Sequence, residues 1–364
     1  MSEASDEAPR NPRMRIPLRP EVGALPRYAP GRSAPGAVKL SSNESPEPPS
    51  QAVIDAAARA LVDANRYPDF GATALTAALA GHLGVGEDQV VVGDGSSAVL
   101  LAALSVVCRP GAEVVHAWRS FESYPIAAPS VGARSVPVPL TPEGRHDLDA
   151  LAAAVGPETA AVILCTPNNP TGPALTLAQV RDFVERVPQE VLVLVDEAYI
   201  ELATEPGVST AVALIGQFPN VLVLRTFSKV YALAGLRVGY GIGHPDLVGA
   251  IRAVSVPFGV SSVAQAAALA ALSDRDTTRE RIARTVAERE RVRAELLELG
   301  YEVPVSQSNF VWIPASQSEP GLVAECARAG IIVRPFAEGV RVSIGTRGQD
   351  DRFLEVARAH AAKM

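Results

Sequence analysis

Lys229 stands in the segment Arg225-Thr-Phe-Ser-Lys-Val-Tyr-Ala-Leu-Ala-Gly-Leu-Arg237, directly after a run of alternating Val and Leu. Burial and cationic neighbours lower the pKa of an amine, which suits it to imine formation with an aldehyde. Most loop lysines are plain surface residues. This one is set apart because the chain carries 33 basic residues, of which only Lys39, Lys229 and Lys363 are lysines. The arginine bias reads first as genomic base composition, but it leaves three candidate amines. Hydroxyls at Thr226 and Ser228 and the guanidinium of Arg237 point to a phosphorylated aldehyde as cofactor.

Three further segments carry chemistry. Val195-Asp196-Glu197-Ala198-Tyr199 closes another apolar run, and open α/β sheets bind ligands at such strand ends. Asp196 either caps the next helix or keeps a pyridinium nitrogen protonated, so that the ring stays an electron sink, while Tyr199 bonds a ring oxygen. Thr166-Pro-Asn168-Asn169-Pro170-Thr171-Gly172 is either ordinary turn chemistry or a device that sets Asn169 against the same oxygen. Gly93-Asp-Gly95-Ser96-Ser97-Ala98 offers glycines and hydroxyls at a helix N-terminus, an anion site. It also fits G-x-G-x-x-A, but Glu113 begins the next strand and no acidic residue ends it to hold a ribose. Beside Lys229 the segment reads as a phosphate cradle.

These residues need a scaffold of strands and helices. Strands are expected at Gln89–Val92, Glu113–His116, Ser135–Val138, Ala160–Cys165, Val191–Val195, Val221–Arg225 and Arg237–Ile242. Helices are expected at Ser96–Cys108, Leu175–Val187, Asp246–Val254 and Arg275–Leu299, with Ser50 capping an Ala-rich helix before Asn65. Strands apolar throughout are buried on both faces, which means a mostly parallel sheet flanked by helices. Beyond the long helix, Ser308–Ile313, Ile331–Arg334 and Val340–Ile344 surround a short helix, and a helix at Asp350–Ala362 closes the chain. The expected architecture is α/β: a large domain with a mostly parallel central sheet flanked by helices, plus a smaller α+β C-terminal domain. Ten of the 30 prolines fall in the first 50 residues, so 1–45 is expected to be an arm, 46–260 the large domain and 261–364 the small one.

Composition sets the outer limits. With 364 residues, 48% hydrophobic and 20% charged, the chain is an ordinary globular protein with room for two domains. A net charge of −7 provides no protein-wide field for nucleic acid or anionic lipid. The apolar run near Ala98–Val107 is far short of the roughly 20 residues of a bilayer span, so no membrane partner is expected. The polar, acidic stretch Met1–Arg10 lacks the apolar core of a signal peptide. Cys108, Cys165 and Cys326 are odd in number and far apart, which fits a reduced, cytoplasmic setting. The five histidines never fall at metal-ligand spacing, and no metal is expected.

Together the four segments resemble the signature of fold-type I pyridoxal-phosphate aminotransferases. With Leu40-Ser-Ser-Asn43-Glu44 and Arg66-Tyr67-Pro68, the chain from about Leu18 onward is similar to the histidinol-phosphate aminotransferase subfamily. Trp118-Arg-Ser-Phe121-Glu-Ser-Tyr124-Pro and Val256-Pro-Phe258-Gly-Val-Ser-Ser262 look closest to actinobacterial aromatic (phenylalanine) aminotransferases. The resemblance implies that Lys229 forms the internal aldimine with pyridoxal 5′-phosphate and shuttles a proton between substrate Cα and cofactor C4′. It implies Asp196 on the pyridine nitrogen, Asn169 and Tyr199 on the ring oxygen, and Ser96, Ser97, Thr226, Ser228 and Arg237 on the phosphate. Phe121 would stack on the ring where many relatives carry Tyr. Tyr67 would reach the phosphate in the neighbouring subunit, which implies a homodimer with shared active sites. In Gly339-Val-Arg341-Val-Ser-Ile-Gly345 the arginine matches the one that binds the substrate α-carboxylate, a task for a bidentate guanidinium. Arg334 would take a second anionic group, such as the distal carboxylate of glutamate. Asn43 lies in the matching arm segment, and Tyr28 would cover the substrate or simply pack. Relatives often have an acidic residue just after the Ser96 position, where this chain has Ser97-Ala98.

The implied activity is transamination of an aromatic amino acid, phenylalanine first, with 2-oxoglutarate. L-Histidinol phosphate is the rival substrate, decarboxylation of a phosphorylated amino acid the rival reaction, and a non-catalytic or dinucleotide-binding protein the third reading.

Overall fold

In Leu192-Val-Leu-Val-Asp196 and Val221-Leu-Val-Leu-Arg-Thr226 every residue is buried, and the alternation of Val with Leu sorts the two faces. Val193, Val195, Val221 and Val223 belong to one apolar core, whereas Leu192, Leu194, Leu222 and Leu224 belong to another across the sheet. Side chains of successive strand residues point to opposite faces, so a strand with no polar position has to be covered on both. The computed structural model describes residues 16, 17, 19–23, 25, 34–318 and 321–363.

Eleven strands are present among these residues: β1 (Val38–Leu40), β2 (Val90–Gly93), β3 (Glu113–Trp118), β4 (Arg134–Pro139), β5 (Thr159–Cys165), β6 (Leu192–Asp196), β7 (Val221–Thr226), β8 (Gly239–Ile242), β9 (Phe310–Pro314), β10 (Ile331–Phe336) and β11 (Gly339–Ser343). Seven form the large sheet, in the order β2-β8-β7-β6-β5-β3-β4. Only β8 runs against its neighbours. The carboxyl ends of β3, β5, β6 and β7 therefore open on one side. The strand expected from Arg237 starts two residues later, because Arg237 is left-handed (φ 53°) and stays in the preceding loop.

The second sheet has the order β1-β10-β11-β9 and covers a third, smaller core. Its β1 comes from the segment before the large sheet and pairs in parallel with β10, Val38 opposite Ile331. The helix Ser262–Ser273, just beyond the expected division at residue 260, buries Ala264, Ala267, Ala268 and Ala271 in the large lobe. The long helix Arg275–Glu298 then serves both lobes. Ile282 and Val286 pack against the first core, and Val292 and Leu296 enter the third. At the crossing, Arg289 is fully buried and donates to the carbonyls of Leu202 and Ser308. No helix among the described residues is long and apolar enough to cross a membrane.

Candidate active site

The carboxyl ends of β3, β5, β6 and β7 and the second sheet enclose a cleft of about 320 Å3. Lys229, Asp196, Tyr199, Asn169, Thr226, Ser228, Ser96, Ser97, Phe121, Arg237, Asn43, Arg334 and Arg341 all line it. The four segments singled out in the sequence thus converge on one space. Tyr67 does not face it: that ring is 84% exposed and stacks on Phe258 at 4.7 Å. Tyr28 lies outside the described residues.

Lys229 follows the end of β7. Burial, then Arg341 and Arg237, bring its amine down to about 8, against the opposing pull of Glu44 and Asp196. Its Nζ donates to the Asn43 carbonyl at 3.2 Å and lies 5.3 Å from the centre of the Tyr199 ring.

Asp196 closes β6. Burial raises its pKa, and the strongest opposing influence is a 2.8 Å hydrogen bond from the Tyr124 hydroxyl. The adjacent Glu197 is turned away and pairs with Arg225 at 3.0 Å. Neighbouring carboxylates on a strand end thus have separate partners, as the pleat requires. A buried carboxylate beside a cleft, with one hydroxyl and one backbone amide as partners, is ready to meet a ring N–H⁺.

Tyr199 is buried edge-on against Phe310 and its hydroxyl accepts from Asn43 Nδ2 at 2.9 Å. Burial pushes its phenol up, opposed by Arg341 and Asn43. Asn169 Oδ1 accepts from Arg341 Nη1 at 2.5 Å, and Arg341 Nη2 donates to the Ser41 carbonyl at 2.8 Å.

An anion would sit at the other end. Ser96 and Ser97 start the helix Ser96–Val107, whose first backbone N–H groups have no partner within the helix. Thr226 Oγ1 donates to Ser228 Oγ at 2.9 Å and accepts the Ser228 amide at 3.1 Å. Gly95 (φ 101°) lets the Arg237 guanidinium close in: a Cβ there would lie 2.6 Å from Nη2. Helix amides, hydroxyls and one guanidinium fit a phosphate, while the amine, the buried carboxylate and the phenol fit a pyridine ring with an aldehyde and a hydroxyl.

Several partners are not apparent from the sequence. Tyr124 reaches Asp196 from the helix that follows β3, and Ser343 and Asn309 hold Asn43. Asn43 is the hub of the arm: it is left-handed (φ 53°), its amide nitrogen donates to Ser343 Oγ, and its carbonyl also accepts from Asn309. Phe336 lines the cleft two residues beyond Arg334 on β10, the one signal a period-two reading offers.

Residues 35–356 match the family described as aminotransferase class I and II. The chain is 51% identical over 348 residues to the aromatic amino acid aminotransferase of Thermobifida fusca, covering 94% of this chain and 97% of that one. It is 46% identical over 344 residues to the aromatic amino acid aminotransferase of Streptomyces avermitilis, covering 93% and 96%. Among solved structures, histidinol-phosphate aminotransferase from Sinorhizobium meliloti in complex with pyridoxal-5′-phosphate superposes with a TM-score of 0.86 at 30% identity, covering 95% of this chain and 98% of that one.

Proposed function

The chain belongs to the class I and II aminotransferases, and from that premise we propose that it transfers the amino group of aromatic amino acids, phenylalanine first, to 2-oxoglutarate. It is a pyridoxal 5′-phosphate enzyme. The observation that carries the reading is Lys229: a buried amine brought down to about 8, in one cleft with Asp196, Tyr199 and Arg341. The aromatic substrate is supported by the names of relatives at 46% and 51% identity.

When bound, the cofactor supplies an electron sink that stabilises negative charge at the substrate Cα. In our reading the other tasks fall to the chain. Lys229 Nζ would hold the cofactor through its aldehyde and, when free, would hold and move the proton at the substrate Cα. Asp196 keeps the ring nitrogen protonated, and Asn169 and Tyr199 hold the ring oxygen. Ser96, Ser97, Thr226, Ser228 and Arg237 take the phosphate, and Phe121 covers the ring face and excludes water. Arg341 binds the α-carboxylate, and Arg334 the distal carboxylate of glutamate or 2-oxoglutarate. Tyr67 serves the partner subunit's site in a homodimer. Its exposure beside exposed Phe70 and Phe258 supports that assignment.

One rival has an observation behind it: the Sinorhizobium meliloti structure is of a histidinol-phosphate aminotransferase. Steady-state kinetics of the reconstituted enzyme with phenylalanine, tyrosine, tryptophan and L-histidinol phosphate, each with 2-oxoglutarate, separate the two. Higher kcat/KM for the aromatic amino acids is expected. A large preference for histidinol phosphate overturns the substrate assignment.

A further inference from the structure

Arg334 projects into the cleft from β10, and Glu122 from the loop that follows β3; Arg334 Nη2 donates to Glu122 Oε2 at 2.6 Å. We propose that Glu122 determines specificity in this cleft, neutralising Arg334 while the substrate side chain is uncharged and yielding it to a distal carboxylate. The inference rests on the aminotransferase reading of the cleft given above.

The surroundings of the pair explain the need for it. Phe336 lines the same wall, and the Arg334 and Arg341 guanidinium carbons lie 5.5 and 5.7 Å from its ring centre. A second pair, Arg119 with Glu338, flanks that ring, with the Arg119 carbon at 5.6 Å. An aromatic side chain entering here meets Phe336 and, beside it, Arg334. A guanidinium left unpaired against an apolar side chain is costly, because removing one partner of a buried pair leaves an uncompensated charge. Glu122 removes that cost.

Exposure decides which partner moves. The Arg334 side chain is 11% exposed and the Glu122 side chain 31%. When a substrate brings its own carboxylate, Glu122 can turn to water, whereas Arg334 is held by its wall and stays. The distal carboxylate then takes over the charge-assisted bonds to the guanidinium. Until Glu122 leaves, it occupies the Arg334 guanidinium and competes with the incoming carboxylate for it, so it weakens dicarboxylates selectively. One cleft can then serve both an uncharged amino donor and a dicarboxylate acceptor.

The test uses holoenzyme and two unreactive analogues, glutarate for the dicarboxylate and 3-phenylpropionate for the aromatic side chain. In Glu122→Gln, glutarate binding should tighten relative to 3-phenylpropionate by roughly tenfold, the scale of one hydrogen bond to a charged group. Glu122→Ala should shift the ratio the same way. In an Arg334→Gln background the Glu122 substitution should leave the ratio unchanged. A ratio within about twofold of wild type in both single variants overturns the proposal, as does a shift that persists without Arg334. Failure of the wild type to transaminate any aromatic amino acid would instead overturn the substrate reading, and the glutarate ratio would still decide the role of Glu122.

Discussion

The Tyr124 hydroxyl donates to Asp196 Oδ2 at 2.8 Å, with Tyr124 wholly enclosed. Burial pushes Asp196 toward its neutral form, and this bond is the largest influence in the other direction. Tyr124→Phe should therefore raise the Asp196 pKa further and weaken its hold on a ring nitrogen. The loss of a hydrogen bond to a charged group, about 1.5–3 kcal/mol, predicts a fall in kcat of roughly tenfold or more. Rapid kinetics and a pH titration of the holoenzyme visible spectrum check this; an unchanged kcat and spectrum would remove Tyr124 from the site.

Asn43 predicts a graded response. Its side chain bonds Tyr199 and Ser343, and its backbone is left-handed, which Asn and Gly tolerate better than Ala. Asn43→Gly loses the side-chain bonds only, whereas Asn43→Ala adds backbone strain of about 1 kcal/mol or more. Both should raise KM for the amino donor. Only Ala should show the additional drop in stability, read by denaturant midpoint.

Capture of cofactor should depend on pH through Lys229. Its amine titrates at about 8, so below that pH it is mostly protonated and cannot attack an aldehyde. The rate of reconstitution of apoenzyme should rise as pH climbs through 8. Arg341 is the largest charged contributor to the depression. Arg341→Gln should move the midpoint upward, followed by stopped-flow absorbance; a downward or absent shift would contradict this electrostatic coupling. In the same experiment, borohydride reduction followed by peptide mapping should label Lys229 and neither Lys39 nor Lys363.

His146 should make the protein acid-sensitive. Burial takes its imidazole from 6.5 down to about 4, and its Nε2 lies 3.3 Å from Asn168 Oδ1. Above pH 6.5 both folded and unfolded states are neutral. Between 6.5 and 4 the unfolded chain takes up the proton first, so stability falls across that window, by about 3 kcal/mol in full. His146→Gln should remove this contribution, so that the wild-type-minus-variant difference in urea stability falls as pH drops from 6.5 to 4. A difference curve with no slope there would exclude His146 as the cause.

How much of this was legible varied by element. The Val–Leu alternation of β6 and β7 announced strands covered on both faces, and the residues at their ends announced the cleft. Local chemistry also marked one helix start, since Ser50 stands at the N-cap of the Ala-rich helix Gln51–Ala60. Tyr124 was visible only as part of a motif, because its contact with Asp196 spans 72 positions and leaves no local pattern. The bonds of Asn43 to Tyr199 and Ser343 span 156 and 300 positions. The Glu122–Arg334 pair is of the same kind: Arg334 stood out as a candidate for a substrate anion, but nothing local marked Glu122, 212 positions away, as its partner. The helix Ser262–Ser273, in which eight of twelve residues are Ala or Leu, gives no apolar stripe from which to read the lobe it joins.

Strand β1 has one more consequence. By pairing Val38 with Ile331 it makes the smaller lobe a product of both ends of the chain, with the seven-stranded sheet inserted between them. No single cut yields that lobe as a fragment, and on a ribosome its sheet cannot close until more than 330 residues have been made. The pairing that completes the lobe carrying Arg334 and Arg341 is thus a long-range one, and its closure waits for nearly the whole chain. It is also joined to the larger lobe by two covalent connections, one through the long helix and one through Asn43, whose carbonyl accepts from Lys229.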